Sequence, residues 1–151
     1  MQRRRFKTVE EPKVALLVDG PNMLRKEFMI DLRELKRRAQ NYGRIIIAKV
    51  FLNQFAPEKL VEAVINEGFE CIMTLAEKSE DANDVDVTLA VAAMETILER
   101  DIDVFALATR DTDFLPVIQK AKEYGKKVVL FGAEPGFSSS LQNAADYVEM
   151  L

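Results

Sequence analysis

Histidine is absent from this sequence of 151 residues, and cysteine occurs once, as Cys71. Without histidine, no Ser-His or Cys-His catalytic pair can form, and histidine-ligated zinc or iron is excluded. A single cysteine allows no internal disulfide, which suits a reducing compartment, and Cys71 lies in an apolar run typical of a core position. Hydrolytic chemistry in this chain must therefore use carboxylates, lysines, hydroxyls or a hard metal ion.

Long apolar runs are also missing from the sequence. None approaches the roughly 20 residues that span a bilayer, and the basic N-terminus lacks the apolar stretch of a secretory signal. We therefore expect a cytoplasmic protein that does not associate with membranes. Hydrophobic residues make up 48% and charged residues 30%, which is the balance of a globular protein. The length predicts one domain at residues 13–151, preceded by a basic arm at residues 1–12.

Charge is distributed unevenly along the chain. Lys and Arg outnumber Asp and Glu by 13 to 6 in residues 1–50, whereas the acidic residues outnumber the basic ones by 19 to 8 in residues 51–151. A basic region beside an acidic one suits an enzyme that holds nucleic-acid phosphates with one part and a cation with the other. Uneven surface charge on a domain without a polyanionic partner is the alternative.

Short apolar runs alternate with stretches of helical spacing, which predicts an α/β fold with a mostly parallel sheet. Strands are predicted at residues 14–18, 44–52, 69–75, 103–108 and 127–131, with a short additional edge strand at 147–151. Helices are predicted at residues 23–40, 57–66, 85–100, 113–124 and 138–144. The expected strand order is 3-2-1-4-5.

Aspartates follow two of the predicted strands. Asp19 comes directly after the first strand, and Asp111 and Asp113 lie in the turn after the fourth. Ligands of open parallel sheets bind beyond the carboxyl ends of the strands, where the strand order reverses, so these carboxylates are expected to converge. Asp86 begins the helix that leads into the fourth strand and can point into the same crevice. Asp84 lies two residues earlier and does not share its helix face.

Four carboxylates in one crevice indicate a bound cation, because they would otherwise repel one another strongly. Oxygen ligands without histidine or thiolate favour magnesium or manganese over zinc. The alternative is that each aspartate caps a helix or forms a turn, which is a common role for this residue. The joint placement at two neighbouring strand ends favours a Mg²⁺ or Mn²⁺ site. Its predicted ligands are Asp19, Asp86, Asp111 and Asp113.

Segments at residues 14–24, 85–94, 106–132 and 132–151 resemble the NYN family of PIN-like nuclease domains, in its archaeal branch related to the LabA-type proteins. The motif Asp-Gly-x-Asn at Asp19, together with Thr-x-Asp-x-Asp-Phe at Thr109, carries the resemblance. It implies a three-layer, Rossmann-like fold, a divalent metal and endonucleolytic cleavage of RNA. The four aspartates correspond to the acidic site of the family, and Asn22 would orient Asp19 or a metal-bound water. Because PIN-like domains often pair, a homodimer is a further expectation.

Several residues are candidates for substrate binding. Arg25 and Lys26 belong to a basic first helix that could follow an RNA backbone, although such charges are often only a solvated face. Thr109 occupies the small hydroxyl position of the family, and Arg110 is expected either to contact the scissile phosphate or to pair with an aspartate. Ser138, at a helix start, is expected either to favour an anion or simply to cap the helix.

Aromatic side chains placed for base stacking are few. Phe28, Phe55 and Phe137 are candidates, but packing roles are favoured for all three. Sequence-specific RNA recognition is therefore not supported. The expected partner is single-stranded RNA. Attack by water, rather than by the ribose 2′-hydroxyl, predicts products that carry a 5′-phosphate.

Two departures from the family pattern leave an alternative function open. Asn83 and Asp84 stand where Lys-Gly is expected, and Ala92 stands where the family often carries a further aspartate. The loss of that aspartate would remove a ligand of a second metal, so a non-catalytic RNA-binding or partner-binding module is the alternative. Phosphotransfer through an aspartyl phosphate fits poorly, because Gly20 and Pro21 follow Asp19 where that chemistry usually requires Asp-x-Asp.

Overall fold

Six strands form one sheet at the centre of the protein. The computed structural model describes residues 11–24, 30–77 and 83–151. In chain order the strands are β1 Lys13–Asp19, β2 Arg44–Asn53, β3 Glu70–Thr74, β4 Val104–Ala108, β5 Lys127–Gly132 and β6 Tyr147–Met150. Their order across the sheet is β3-β2-β1-β4-β5-β6, and every pair of neighbours is parallel. The predicted order is confirmed, with β6 at the edge beside β5.

Helices cover both faces of the sheet, which confirms the three-layer α/β fold. One layer holds α1 Gly20–Met23, α2 Leu32–Ala39 and α3 Glu58–Asn66. The opposite layer holds α4 Asn83–Glu99, α5 Leu115–Glu123 and α6 Ser139–Ala144. Two short 3₁₀ turns, Gln40–Tyr42 and Thr112–Phe114, follow α2 and precede α5, respectively.

The central strand β1 shows why its sequence is an unbroken apolar run. Side chains on a strand alternate between the two faces of the sheet, and here both faces are covered by helices. Leu16 packs into the core on the α2 side, whereas Leu17 packs into the core on the α4 side, and both are completely buried. The first residue of β1 to carry a charged side chain into this buried environment is Asp19, where the strand ends.

The prediction of a single helix over residues 23–40 is wrong. The short helix α1 ends at Met23, and α2 begins only at Leu32. Asp31 has extended backbone angles, φ −95° and ψ 111°, and its side chain accepts hydrogen bonds from the N–H groups of Arg33 and Glu34. An aspartate N-cap thus sets the start of the helix, although the spacing of apolar residues would allow the helix to begin earlier.

Some predicted features lie outside the described residues. Among these are Arg25, Lys26 and Phe28, together with residues 1–10 of the predicted N-terminal arm. Within the described part of the chain, no helix has both the length and the apolar character that a membrane span requires.

Candidate metal centre

Neighbouring strands bring the two aspartate-bearing segments together. β1 and β4 pair in parallel, with Val18 opposite Ala108, so the residues that follow them leave the sheet side by side. Asp19 is 1% exposed, and its Oδ2 accepts a hydrogen bond of 2.9 Å from the Thr109 hydroxyl. Thr109 is itself completely buried. It therefore lies behind Asp19 as a positioning residue and does not reach the surface of the site.

Three carboxylates gather in front of this pair. Asp86, Asp111 and Asp113 each offer one oxygen, and these oxygens lie within 4.8 Å of one another. Asp86 projects from the first turn of α4. Asp111 caps the following 3₁₀ turn by accepting a hydrogen bond of 2.9 Å from the Asp113 N–H. Asp84 is not part of this group, as its position two residues before Asp86 predicted.

Asp19 lies beside the three clustered carboxylates and is electrostatically coupled to them. Burial raises the pKa of Asp19 to about 6, and the negative charge of Asp111 adds to this rise. The Thr109 hydrogen bond and the Arg110 guanidinium act in the opposite direction. The Oδ1 atom of Asp19 is buried and has no hydrogen-bond partner among the described residues. A buried carboxylate oxygen without a partner is costly unless something else compensates it.

The pKa of Asp86 is raised more than the pKa of Asp19. Burial, followed by the charges of Asp19, Asp111 and Asp113, raises the pKa of Asp86 to about 7. A divalent cation would relieve both this repulsion and the unpartnered oxygen of Asp19. The donors are all carboxylate oxygens, which are the ligands that magnesium and manganese prefer. The residues present therefore fit a hard divalent ion.

Gly20 lets the turn after β1 lie directly against β2. A Cβ atom at this position would come within 2.4 Å of the Phe51 carbonyl oxygen and of a Leu52 methyl carbon. Because one of these neighbours is backbone, the clash could not be relieved by a side-chain rotation. The glycine of the Asp-Gly-x-Asn motif is thus required by close packing, and it sets the direction in which the chain leaves Asp19.

Asn22 and Arg110 join the turns that follow β1 and β4. The Asn22 side-chain oxygen accepts a hydrogen bond of 2.8 Å from the Arg110 backbone N–H. The Asn22 carbonyl accepts hydrogen bonds from Arg110 Nε at 3.3 Å and Nη2 at 3.2 Å, and Arg110 Nη1 also donates to the Pro135 carbonyl. Asn22 thus orients the turn that carries Asp111. The Arg110 guanidinium connects the turns that follow β1 and β4.

Two grooves meet at the acidic cluster. One is a cleft of about 550 Å³, lined by Asp19, Asp86 and Asp111 and also by apolar side chains. The other has a volume of about 570 Å³ and is lined by Arg110, Thr112, Gly136 and three serines, Ser138, Ser139 and Ser140. Asn22 and Asp111 belong to both grooves. Ser138 also caps α6, because its hydroxyl accepts a hydrogen bond of 3.3 Å from the Leu141 N–H.

Phe55, a candidate for base stacking for which the sequence favoured a packing role, lies in the cleft. Its side chain is 47% exposed and lines the same cleft as Asp19. The only available signal was its place in a short segment between a predicted strand and Pro57, where loops often carry binding residues.

The three arginines of α2 are paired with glutamate side chains. Arg33 contacts Glu67 at 3.1 Å, and Arg37 and Arg38 both contact Glu34, at 2.5 and 3.1 Å. These ion pairs favour the interpretation of α2 as a solvated face with balanced charge. The excess of positive charge in residues 1–50 is partly compensated where Arg33 pairs with Glu67 from the acidic part of the sequence.

Comparison with known proteins places the chain in a family. Residues 13–151 match the family model of the NYN domain. The chain belongs to the NYN domain family. The family resemblance expected from the sequence is therefore confirmed, and NYN domains have a nuclease-type fold. The acidic cluster of this NYN domain is compatible with a metal site.

One sequence relative and one similar structure can be compared with this NYN domain. It is 56% identical over 138 residues to an uncharacterized protein of Methanocaldococcus jannaschii. That match covers 91% of the chain and 55% of the relative, so the chain spans about half the length of the curated relative it matches. The crystal structure of a protein of unknown function from Vibrio parahaemolyticus is similar, with a TM-score of 0.82 and 22% identity over 97% of this chain and 96% of that one. At this identity the likeness concerns the fold alone.

Proposed function

We propose that this NYN domain is a divalent-metal-dependent endoribonuclease that hydrolyses phosphodiester bonds of single-stranded RNA. The observation that carries the proposal is the close approach of Asp86, Asp111 and Asp113, whose oxygens lie within 4.8 Å of one another. The buried, unpartnered oxygen of Asp19 beside them supports it. A site that only bound phosphate would gain nothing from this concentration of negative charge, because the carboxylates repel phosphate.

Each residue of the site has a part in this activity. Asp86, Asp111 and Asp113 would hold Mg²⁺ or Mn²⁺, and the buried Asp19 carboxylate beside them would add negative charge to the site. When bound, the ion lowers the pKa of a coordinated water and stabilises charge on the leaving oxygen. Thr109 positions Asp19, and Asn22 together with Arg110 keeps the turns after β1 and β4 in register. The serine-lined groove next to Arg110 supplies polar contacts for the phosphates on one side of the cleaved bond.

The absence of histidine bears on the chemical ends of the cleavage products. The chain contains no histidine, so it has no imidazole to remove the proton of a ribose 2′-hydroxyl. Attack by water with departure of the 3′-oxygen leaves a 5′-phosphate on the downstream fragment and a 3′-hydroxyl on the upstream one. Attack by the 2′-hydroxyl with departure of the 5′-oxygen would instead leave a 2′,3′-cyclic phosphate on the upstream fragment and a 5′-hydroxyl on the downstream one. The chemical nature of the ends therefore tests the proposed mechanism separately from the location of the site.

Cleavage of an end-labelled single-stranded RNA with Mn²⁺, Mg²⁺ or EDTA tests the proposal. Asp19→Asn and Asp111→Asn remove charge from the site, and Asp101→Asn is the matched control. Asp101 is exposed and pairs with Lys13 at the opposite end of β4. We expect metal-dependent cleavage with 5′-phosphate products, reduced at least about 100-fold by the two site variants and unchanged by the control.

Two outcomes would contradict the proposal. Cleavage by the purified protein that persists unchanged in both site variants would show that the activity does not depend on this acidic site. RNA binding in EDTA, without cleavage in any metal, would indicate a binding module that keeps the fold.

A further inference from the structure

The cleft beside the acidic cluster has a second, apolar wall. Besides the carboxylates of Asp19, Asp86 and Asp111, the cleft is lined by side chains that cannot bind metal or phosphate. These are Leu24, Leu52, Phe55, Ala56, Pro57 and Leu60. Single exposed apolar residues are ordinary on protein surfaces, but several apolar side chains that line the same cleft as three carboxylates are not explained by solvation.

The loop that carries Phe55 is held by its own turn. Asn53 ends β2 and is 6% exposed, and its side-chain oxygen accepts a hydrogen bond of 2.9 Å from the Phe55 N–H. The Asn53 carbonyl accepts another, of 3.1 Å, from the Ala56 N–H. Pro57 then restricts the backbone before α3 begins. The position of Phe55 is therefore set before any ligand binds.

Gln54 fastens the same loop to the segment that follows β3. Its side-chain oxygen accepts a hydrogen bond of 2.7 Å from the Ala76 N–H, and its side-chain nitrogen donates to the Ala76 carbonyl. These two bonds connect residues 22 positions apart in the sequence. A phenylalanine on a loop held at both sides loses little conformational entropy when a ligand packs against it.

We propose that Phe55 stacks against an unpaired nucleobase of the RNA, next to the bond that is cleaved. The inference rests on the proposed function for the identity of the ligand. One nucleotide has a charged part and a flat apolar part, and the cleft offers a carboxylate wall for a cation with its phosphate and an aromatic wall for the base. The volume of about 550 Å³ is within the range of small-ligand pockets.

Stacking at Phe55 would make the site selective for single strands. A base can enter the cleft only after it leaves the stack of its neighbours, which a duplex resists. Every base has a π-face, so Phe55 would accept bases with little regard to sequence. Phe55 would thus determine which class of RNA binds, whereas the carboxylates would bind the cation that contacts the reacting phosphate.

Tryptophan fluorescence measures this contact directly. The chain contains no tryptophan, so Phe55→Trp introduces a single reporter at the cleft. Tyr124→Trp is the matched control, because Tyr124 is 52% exposed and follows α5 at the opposite end of the sheet. Each variant is titrated in Mn²⁺, within a time too short for cleavage, with a short oligoribonucleotide and with the same oligomer made abasic. We expect quenching only for Phe55→Trp, and only with bases present.

Binding affinity supplies a second readout. Phe55→Leu keeps an apolar side chain without the ring, and we expect it to weaken binding of the intact oligomer roughly tenfold while leaving binding of the abasic oligomer unchanged. Equal affinity of wild type for the two oligomers, or equal quenching in both tryptophan variants, would overturn the inference. Base-dependent quenching without metal-dependent cleavage would support the stacking site and reject the nuclease. Metal-dependent cleavage at equal rates for intact and abasic strands would support the nuclease and reject the stacking site.

Discussion

At the scale of single residues, the carboxyl groups of Asp19 and Asp86 lower the stability of the fold at neutral pH when no cation is bound. Their pKa values are raised to about 6 and about 7, because burial and neighbouring carboxylates disfavour the ionised form. A carboxyl group whose pKa is higher in the folded state than its ordinary 3.8 stabilises the fold at low pH. That contribution is lost as the pH rises through the folded-state pKa, so the metal-free protein loses stability between about pH 4 and pH 7.

Replacing Asp86 by asparagine should therefore stabilise the metal-free protein at neutral pH. We expect Asp86→Asn to raise the free energy of unfolding by about 1–2 kcal/mol at pH 7.5 in EDTA, after a discount for the partial exposure of the side chain. The gain should shrink toward pH 4.5, where Asp86 is already protonated in the folded protein. Urea denaturation at both pH values measures the difference.

The control for this prediction is Asp101→Asn. Asp101 is fully exposed, and the Lys13 ion pair lowers its pKa, so its replacement should not stabilise the protein at neutral pH. If Asp86→Asn gave the same change in stability at both pH values, the carboxyl group of Asp86 would not be perturbed in the way the structure indicates.

At the scale of elements, the geometry of α4 determines which of its side chains can reach the acidic cluster. Asp86 lies in the first turn, and Ala92 follows six residues later, about 9 Å further along the axis and on a different face. Ala92 packs at the margin of the hydrophobic core on the α4 side and does not line the cleft. The absence of an aspartate at this position therefore leaves the three clustered carboxylates intact.

Introducing the aspartate tests this geometry. We expect Ala92→Asp to leave the rate of metal-dependent RNA cleavage within about twofold of wild type, because a side chain at that position does not reach the reacting phosphate. It should also lower the melting temperature, since a carboxylate is placed against apolar neighbours. Ala92→Ser, which adds a smaller polar group, is the control for the stability change. An increase in rate of tenfold or more would show that residue 92 does contribute to the site.

At the scale of the whole molecule, the site depends on contacts between distant parts of the chain. The hydrogen bond between Thr109 and Asp19 joins residues 90 positions apart. The clustered carboxylates come from α4 and from the turn after β4, while Asp19 comes from β1. A bound cation would therefore link elements that are brought together only in the complete fold.

Metal binding should accordingly stabilise the whole domain. With Mn²⁺ at about 100 times its dissociation constant, the free energy of unfolding should rise by about 2.7 kcal/mol, which raises the melting temperature by roughly 5–10 °C. Differential scanning calorimetry with Mn²⁺, Mg²⁺ and EDTA measures this shift, and Asp111→Asn should abolish it. An unchanged melting temperature over the millimolar range of both metals would contradict the metal site.

The sequence by itself determined the architecture and the position of the carboxylates. Buried strands are apolar runs in the sequence, and their alternation with helices indicated an open parallel sheet, for which the order β3-β2-β1-β4-β5 was expected. In that order β1 and β4 are neighbours, so Asp19, Asp111 and Asp113 were expected in one crevice, with Asp86 pointing into it. The motif glycine, Gly20, could be recognised, but its reason is a close approach to β2 that only the folded chain displays.

Tertiary structure alone decided how the remaining residues are used. The apolar spacing before α2 does not reveal that the Asp31 cap delays its start. The roles of Arg110 and Phe55 depend on loops held by hydrogen bonds between distant segments, such as those of Asn22 with Arg110 and of Gln54 with Ala76. Periodicity records which side of an element is buried, but it carries no information about which loops meet, because that depends on contacts that form only when the sheet is assembled.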